Sequence, residues 1–277
     1  MFADLHLHST FSDGTDTPAR LCDLADDHRV RVISITDHDT VGGQRALLDE
    51  DAPRDVEVIP GIEISTVSQH RMIHILGYYI DLFDKELARF IGQMSADKTE
   101  STRLNFENAR AKNIFSYDWA RVLELNPGQP RISGVHVVKA MGEDGYEVPG
   151  MALWDMFHRC FWPGNDGYIA RESCTGYDAV DIIKTAGGIP VIAHPKDIGS
   201  DDIVLDLIRY GAQGIEVYHP VHTAADVARY RQMAEDKKLY ISGGSDFHGG
   251  NNPDRLFAAT GLADESYELL KLRTRRG

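Results

Sequence analysis

"ADLHLHSTFSDG", residues 3–14, is the stretch on which the fold turns. Side chains of a β-strand alternate with period two, so Asp4, His6 and His8 share one face while Leu5 and Leu7 share the other. An exposed polar face on an edge strand would show the same alternation. Burying that face requires a partner for each polar group, and two neutral imidazoles directed into one space suit a metal ion. The rest of the chain decides between the two.

Outward from this stretch, short β-like runs recur: 2–8, 30–39, 56–66, 71–80, 189–195, 214–220 and 239–248. Helical patterns separate most of them. "TPARLCDLADDHRV" (17–30) offers Thr17 as an N-cap and Pro18 at the first helical position. "YDAVDIIKTAGG" (177–188) and "DIVLDLIRYGAQG" (202–214) end on glycines, as helices often do. Alternating β and α with Val/Ile-rich strands predicts an α/β fold with a parallel sheet. Seven such strands could close into a TIM-like barrel, a (β/α)7 arrangement. The alternation breaks over 93–168, where 95–114 and 134–146 have helical patterns with a turn region between them. This stretch is too long for a plain loop. The expected organisation is a barrel from 1–92 and 169–277, with 93–168 a helical insertion capping the site.

In a parallel barrel, functional side chains gather where strands end. Every β-run except the sixth carries a candidate metal ligand at that end: His6, His8 and then Asp13; His38 in "TDHD" beside Asp37; Glu63; His74; His194; and Asp246 with His248 in "SDFH". Each alone has an ordinary reading, Asp13 as a turn residue or Glu63 as an ion-pair partner. Together they are six histidines and three carboxylates at strand ends, too many for one ion of about four to six ligands. A polynuclear centre is expected. His219 and His222 follow the sixth run at the same end and are candidate pocket residues.

The blocks "DLHLHSTFSDG", "TDHD", "GIEIS", "IAHP" and "SDFH" together resemble the PHP family, named for polymerase and histidinol phosphatase. The resemblance spans the chain outside the insertion, and the insertion is similar to that of stand-alone members acting on small nucleotide or ribose phosphates. It implies a distorted (β/α)7 barrel and three divalent ions, commonly manganese, zinc or iron. Carried over, His6, His8, Glu63 and Asp246 would hold the first ion, Glu63 with His74 and His194 the second, and Asp13, His38 and His248 the third. Asp4 would accept a proton from a ligand imidazole and fix its tautomer.

Three divalent ions against three carboxylate ligands leave about +3, an inviting centre for a phosphate. A water bridging two of the ions would be acidified toward ~7 and serve as nucleophile. His38 and Asp37 are candidates to protonate the leaving oxygen, with Glu63 between the ions. Lys98, Arg103, His136, Lys139 and Arg171 on or just beyond the insertion are candidate substrate contacts, with Arg103 first because its planar fork can bind phosphate twice. Related enzymes often carry Arg-x-His where this chain has "GVH" (134–136) and a lysine at Asn165, so the usual second phosphate clamp is altered.

The expected function is hydrolysis of a small phosphorylated ribose or nucleotide, either a monoester or a cyclic diester. An exonuclease-like module, an amidohydrolase acting on a C–N bond and a non-catalytic metal module are the other readings. Net charge −14 weighs against a nucleic-acid polymer as partner. The three cysteines are odd in number and widely spaced, fitting neither a disulfide framework nor a CxxC site. With no apolar run of membrane length and no signal-peptide pattern, the expectation is a cytoplasmic protein with no membrane and no obligate protein partner.

Overall fold

The computed structural model describes residues 3–49, 55–68, 70–169, 174–263, 267–268 and 270–271. The elements run β1 (Ala3–Leu7), α1 (Pro18–Asp27), β2 (Val32–Ile35), α2 (Gly42–Asp49), β3 (Glu57–Val58), β4 (Gly61–Ser68), β5 (Arg71–Tyr78) and α3 (Lys85–Ala111). Then come α4 (Trp119–Glu124), α5 (Gly134–Glu143), α6 (Leu153–Phe161), α7 (Gly176–Thr185), β6 (Ile189–Ile192) and α8 (Pro195–Ile198). The chain continues through α9 (Asp201–Tyr210), β7 (Gly214–Tyr218), α10 (Ala224–Lys237) and β8 (Tyr240–Gly243). Local chemistry sets several starts. The Thr17 hydroxyl accepts the Arg20 amide at 3.2 Å, with Pro18 in the first turn. Thr175–Asp178 and Thr223–Asp226 are capping boxes.

The fold is mixed α/β. Strands β1–β2–β3 pair in parallel in one sheet, and β4–β5–β6–β7–β8 form a second, parallel from β6 to β8. Two features depart from seven parallel strands. The third run breaks at Pro60, which cannot donate to a ladder, so β3 pairs with β2 while β4 pairs with β5. The fourth run then turns back as a hairpin, antiparallel from Gly61↔Tyr78 to Ser68↔Arg71. Only residues 69 and 70 separate these strands, and a parallel crossover needs a dozen or more. Among the described residues the two sheets meet through single bridges, His38↔Glu63 and Leu7↔Phe247, rather than through a ladder closed all the way round.

Helix α3 starts at Lys85, capped by the Asp84 carboxylate on the Leu87 amide at 2.7 Å, and runs unbroken through residue 93. With α4, α5 and α6 it encloses apolar residues of its own, among them Phe106, Val122, Val137, Met141 and Met156. Helix α4 lies where the sequence pattern indicated a turn. The sheets bury separate clusters, one around Leu5 and Tyr78 and one around Leu7 and Ile33.

Candidate metal centre

Strand ends bring the titratable groups to one place. His6 and His8 are fully buried, with ring centroids 5.2 Å apart, so the polar face of β1 points inward. The carboxylate of Glu63, in β4, lies at the centre. Its Oε1 is 2.8 Å from His74 Nδ1 and 3.1 Å from His194 Nε2, and its Oε2 is 3.1–3.2 Å from His6, His8 and His38. Asp246 Oδ1 is 3.3 and 3.1 Å from His6 and His8 Nε2. Asp13 Oδ1 is 3.4 Å from His248 Nε2. All nine expected ligand residues therefore converge. Ligand atoms of His6, His8, Glu63 and Asp246 lie close enough to share one ion, as do those of His8, Asp13, His38 and His248, and those of His38, Glu63 and His74. His194 Nε2 and His74 Nδ1 approach the same oxygen of Glu63.

The donor set fits divalent cations. Buried His6 Nε2, both nitrogens of His8, Asp13 Oδ1, Glu63 Oε2, His74 Nε2 and His194 Nδ1 make no hydrogen bond. Leaving such atoms unsatisfied costs about 1–3 kcal/mol each, and a cation among them removes that cost. Burial pushes His8 down to about 4 and lowers His38 and His74, which leaves neutral imidazoles with lone pairs to give. At His6, burial opposes charge, but Glu216 and Glu63 outweigh it and raise the imidazole to about 10. The carboxylates demand positive charge at this point. Two of the converging residues, His194 (φ 24) and Asp246 (φ 50), occupy the left-handed region, where a non-glycine backbone is strained.

Several expectations are corrected. Asp4 does not hold an imidazole. Its carboxylate accepts the backbone amides of Ser245 at 2.8 Å, Ala258 at 3.2 Å and His6 at 3.4 Å. The imidazole partner is Glu216 of β7, missed because the sixth run had seemed to carry no ligand. Its Oε1 is 2.9 Å from His6 Nδ1, and its Oε2 accepts the His194 amide at 2.7 Å. The signal was present: "GIEVY" repeats the pattern of "GIEIS", with Glu at the same place. Glu216→Gln is expected to weaken metal binding by about 10–100-fold, the usual effect of losing such a partner, measured by metal titration of the purified variant.

Asp37 does not face the cluster. Its oxygens accept the Ser9 amide at 2.7 Å and the Ser9 and Ser12 hydroxyls at 2.7 and 2.6 Å, so it shapes the loop after β1. Arg103 is held by Glu100 through 2.8 and 2.9 Å hydrogen bonds on the exposed side of α3. Its step of five residues from Lys98 turns it away from the face that Lys98 presents. His136 spends both nitrogens on the protein, Nδ1 accepting the Ser133 amide at 3.1 Å and Nε2 meeting Ser12 O at 3.2 Å. Lys139 is exposed on α5. His222 Nδ1 bonds Val217 O at 2.9 Å. None of these four lines the cavity beside the cluster. Arg171 lies outside the described residues.

Lys98 does line that cavity, with Arg131, which the sequence reading passed over. Lys98 Nζ donates to Asp39 Oδ2 at 2.8 Å, and Arg131 Nε lies 3.1 Å from the same oxygen. Burial works against the Asp39 charge, but the two cations outweigh it and hold the carboxyl below its usual range. Arg255 contacts Asp246.

The chain is similar over nearly its full length to characterised proteins. It is 32% identical to a phosphoribosyl 1,2-cyclic phosphate 1,2-diphosphodiesterase of Eggerthella lenta, covering 90% of this chain and 95% of that one. It is 33% identical to a 3',5'-nucleoside bisphosphate phosphatase of Chromobacterium violaceum, covering 88% and 86%. A 5'-3' exoribonuclease of Salmonella typhimurium is 31% identical, covering 88% and 84%. A solved structure from Bifidobacterium adolescentis, assigned as a metal-dependent phosphoesterase, superposes with a TM-score of 0.85 at 26% identity, covering 99% and 96%. Fold, cluster and relatives together define a metal-dependent hydrolase of phosphoric esters. The chain belongs to the PHP domain family, whose model matches residues 4–144. Among the described residues no helix is long and apolar enough to cross a membrane.

Proposed function

We propose that this chain hydrolyses a small phosphorylated ribose or nucleotide, as a phosphomonoester or a cyclic phosphodiester. One observation carries the reading: the Glu63-centred cluster and the Lys98–Arg131 pair open into the same cavity. Three divalent ions, manganese ahead of zinc or iron, are taken to bind at the three groups around His6/His8/Glu63/Asp246, Glu63/His74/His194 and Asp13/His38/His248. When bound, such ions supply positive charge to the phosphoryl group and acidify water at neutral pH.

The chain's own residues do the remainder. Glu216 fixes His6 in one tautomer and holds the strained His194 backbone. Lys98 and Arg131, shared by Asp39, keep further N–H donors for a second anionic group, and Arg131 can offer two in parallel. Residues 93–168 act as the substrate cap over a metal-binding unit formed by 1–92 and 169–277, in a cytoplasmic enzyme with no obligate protein partner.

The exoribonuclease relative supports a second reading, the trimming of short RNA ends, against which the −14 net charge weighs. The metal-loaded protein is to be tested on phosphomonoesters, cyclic phosphodiesters and 5'-phosphorylated oligoribonucleotides, with amides as controls. Turnover of the small esters, lost on chelation and restored by manganese, is the expected result. Preference for oligoribonucleotides would favour the second reading, and turnover of amides alone would overturn both.

A further inference from the structure

The cavity lined by Asp13, His38 and His74 also presents a different chemistry. It has a volume of about 190 Å³, and Phe157, Phe161 and Trp162, of α6 and the residue that follows it, line it too. Phe157 and Phe161 are one turn apart, with ring centroids 6.3 Å apart and 32° between planes. Trp162 lies 6.1 Å from Phe157 and is 36% exposed, so the wall reaches solvent. The rings can sit against α5 because its first residue is Gly134. A Cβ there would fall 2.6 Å from Phe161 Cβ and 2.9 Å from Phe157 Cε2, closer than side-chain atoms tolerate.

Hydrogen bonds and packing link these groups. Ser65 Oγ is 3.1 Å from His38 Nδ1, and the carbonyl of the same serine accepts from Lys98 Nζ. Arg131 joins Lys98 on Asp39, and three residues beyond Arg131 is Gly134, against which the rings pack. Cluster residues, cations and rings thus line one cavity. A bare phosphorylated sugar could use the first two and would leave the rings against water. A planar apolar group attached to the sugar would cover them, and aromatic rings stack on any nucleobase face regardless of its hydrogen-bonding edge.

We propose that Phe157, Phe161 and Trp162, seated on Gly134, form a nucleobase platform, so that the substrate at this site is a nucleotide. This rests on the phosphoester reading above and is testable apart from it. The probes are adenosine 5'-monophosphate and ribose 5-phosphate, bound to the metal-loaded protein and followed by tryptophan fluorescence, with Trp162→Phe identifying the reporting ring. The nucleotide is expected to bind about 5- to 100-fold more tightly, the range for one base stacked on an aromatic side chain. Phe161→Leu, which keeps apolar volume in the cap, and Trp162→Ala, at the exposed edge, should each reduce that preference severalfold and leave ribose 5-phosphate affinity unchanged.

A nucleotide that binds no more tightly than the sugar phosphate in the wild type, absence of binding by both included, overturns the platform. So do variants that weaken both ligands equally, since the rings would then only support the cap. Hydrolysis of phosphate esters without base preference would sink the platform alone. A base preference in a protein that hydrolyses no phosphate ester would sink the phosphoester reading alone.

Discussion

Glu63→Gln is expected to lose bound metal and to lower kcat/KM on every phosphate ester by about 10²–10⁴-fold, corresponding to the several kcal/mol of charge stabilisation that metal ions supply. The side chain is fully buried, and its two oxygens lie within 3.2 Å of nitrogens from five imidazoles. The amide is isosteric, so the packing of β4 survives. It removes the negative charge shared by the proposed first and second ions and replaces one accepting oxygen with an NH2 donor among the imidazoles. Elemental analysis after reconstitution is expected to show fewer ions per chain. Full metal content with near wild-type turnover would remove Glu63 from the centre.

Asp39→Asn is expected to cost about 3–5 kcal/mol of stability, the penalty for stripping one partner from a buried ion pair. Asp39 is 1% exposed and faces two cations, Lys98 and Arg131, that are themselves largely withdrawn from water. Its other oxygen accepts the Ser65 amide at 2.9 Å, and the residue sits at φ 55. Asparagine tolerates that backbone and keeps an acceptor, so the loss reports chiefly the charge. Urea unfolding of the metal-free protein measures it. Lys98→Met added to Asp39→Asn should recover part of the loss, because one of the two stranded cations is gone. A single variant within about 0.5 kcal/mol of wild type would show the pair to be hydrated and of little structural weight.

Much of this protein could be read along the chain. The inward polar face of β1 follows from period two in "DLHLH", and the ligand types follow from the strand-end positions of Glu63, His194 and Asp246. The hairpin of β4 and β5 was also legible, since a gap of a few residues between two runs leaves no room for a crossover. Pro60 marked the break that moves one run between two sheets. Glu216 stands in the sixth run at the place Glu63 holds in the third, in "GIEVY" against "GIEIS".

The candidate substrate contacts were not legible in the same way. Arg103 and Lys98 are equally charged and five residues apart. Only the packing of α3 against the β4–β5 side puts Lys98 on Asp39 and leaves Arg103 to Glu100 and water. Arg131 lies in a loop with no periodic pattern, and its partner Asp39 is 92 residues away in the chain. Gly134 matters through the rings of Phe157 and Phe161, which come from a different helix.

The sequence by itself determined the residue types and the strand periodicity, with nine metal-type side chains at or near strand ends, because those depend on local backbone geometry and on the cost of burying polar groups. The tertiary structure decided which charges meet, which cations face the cavity and which rings line it. Those depend on how separate helices and sheets pack, and a pairing across 92 or more residues leaves no periodic trace in the chain.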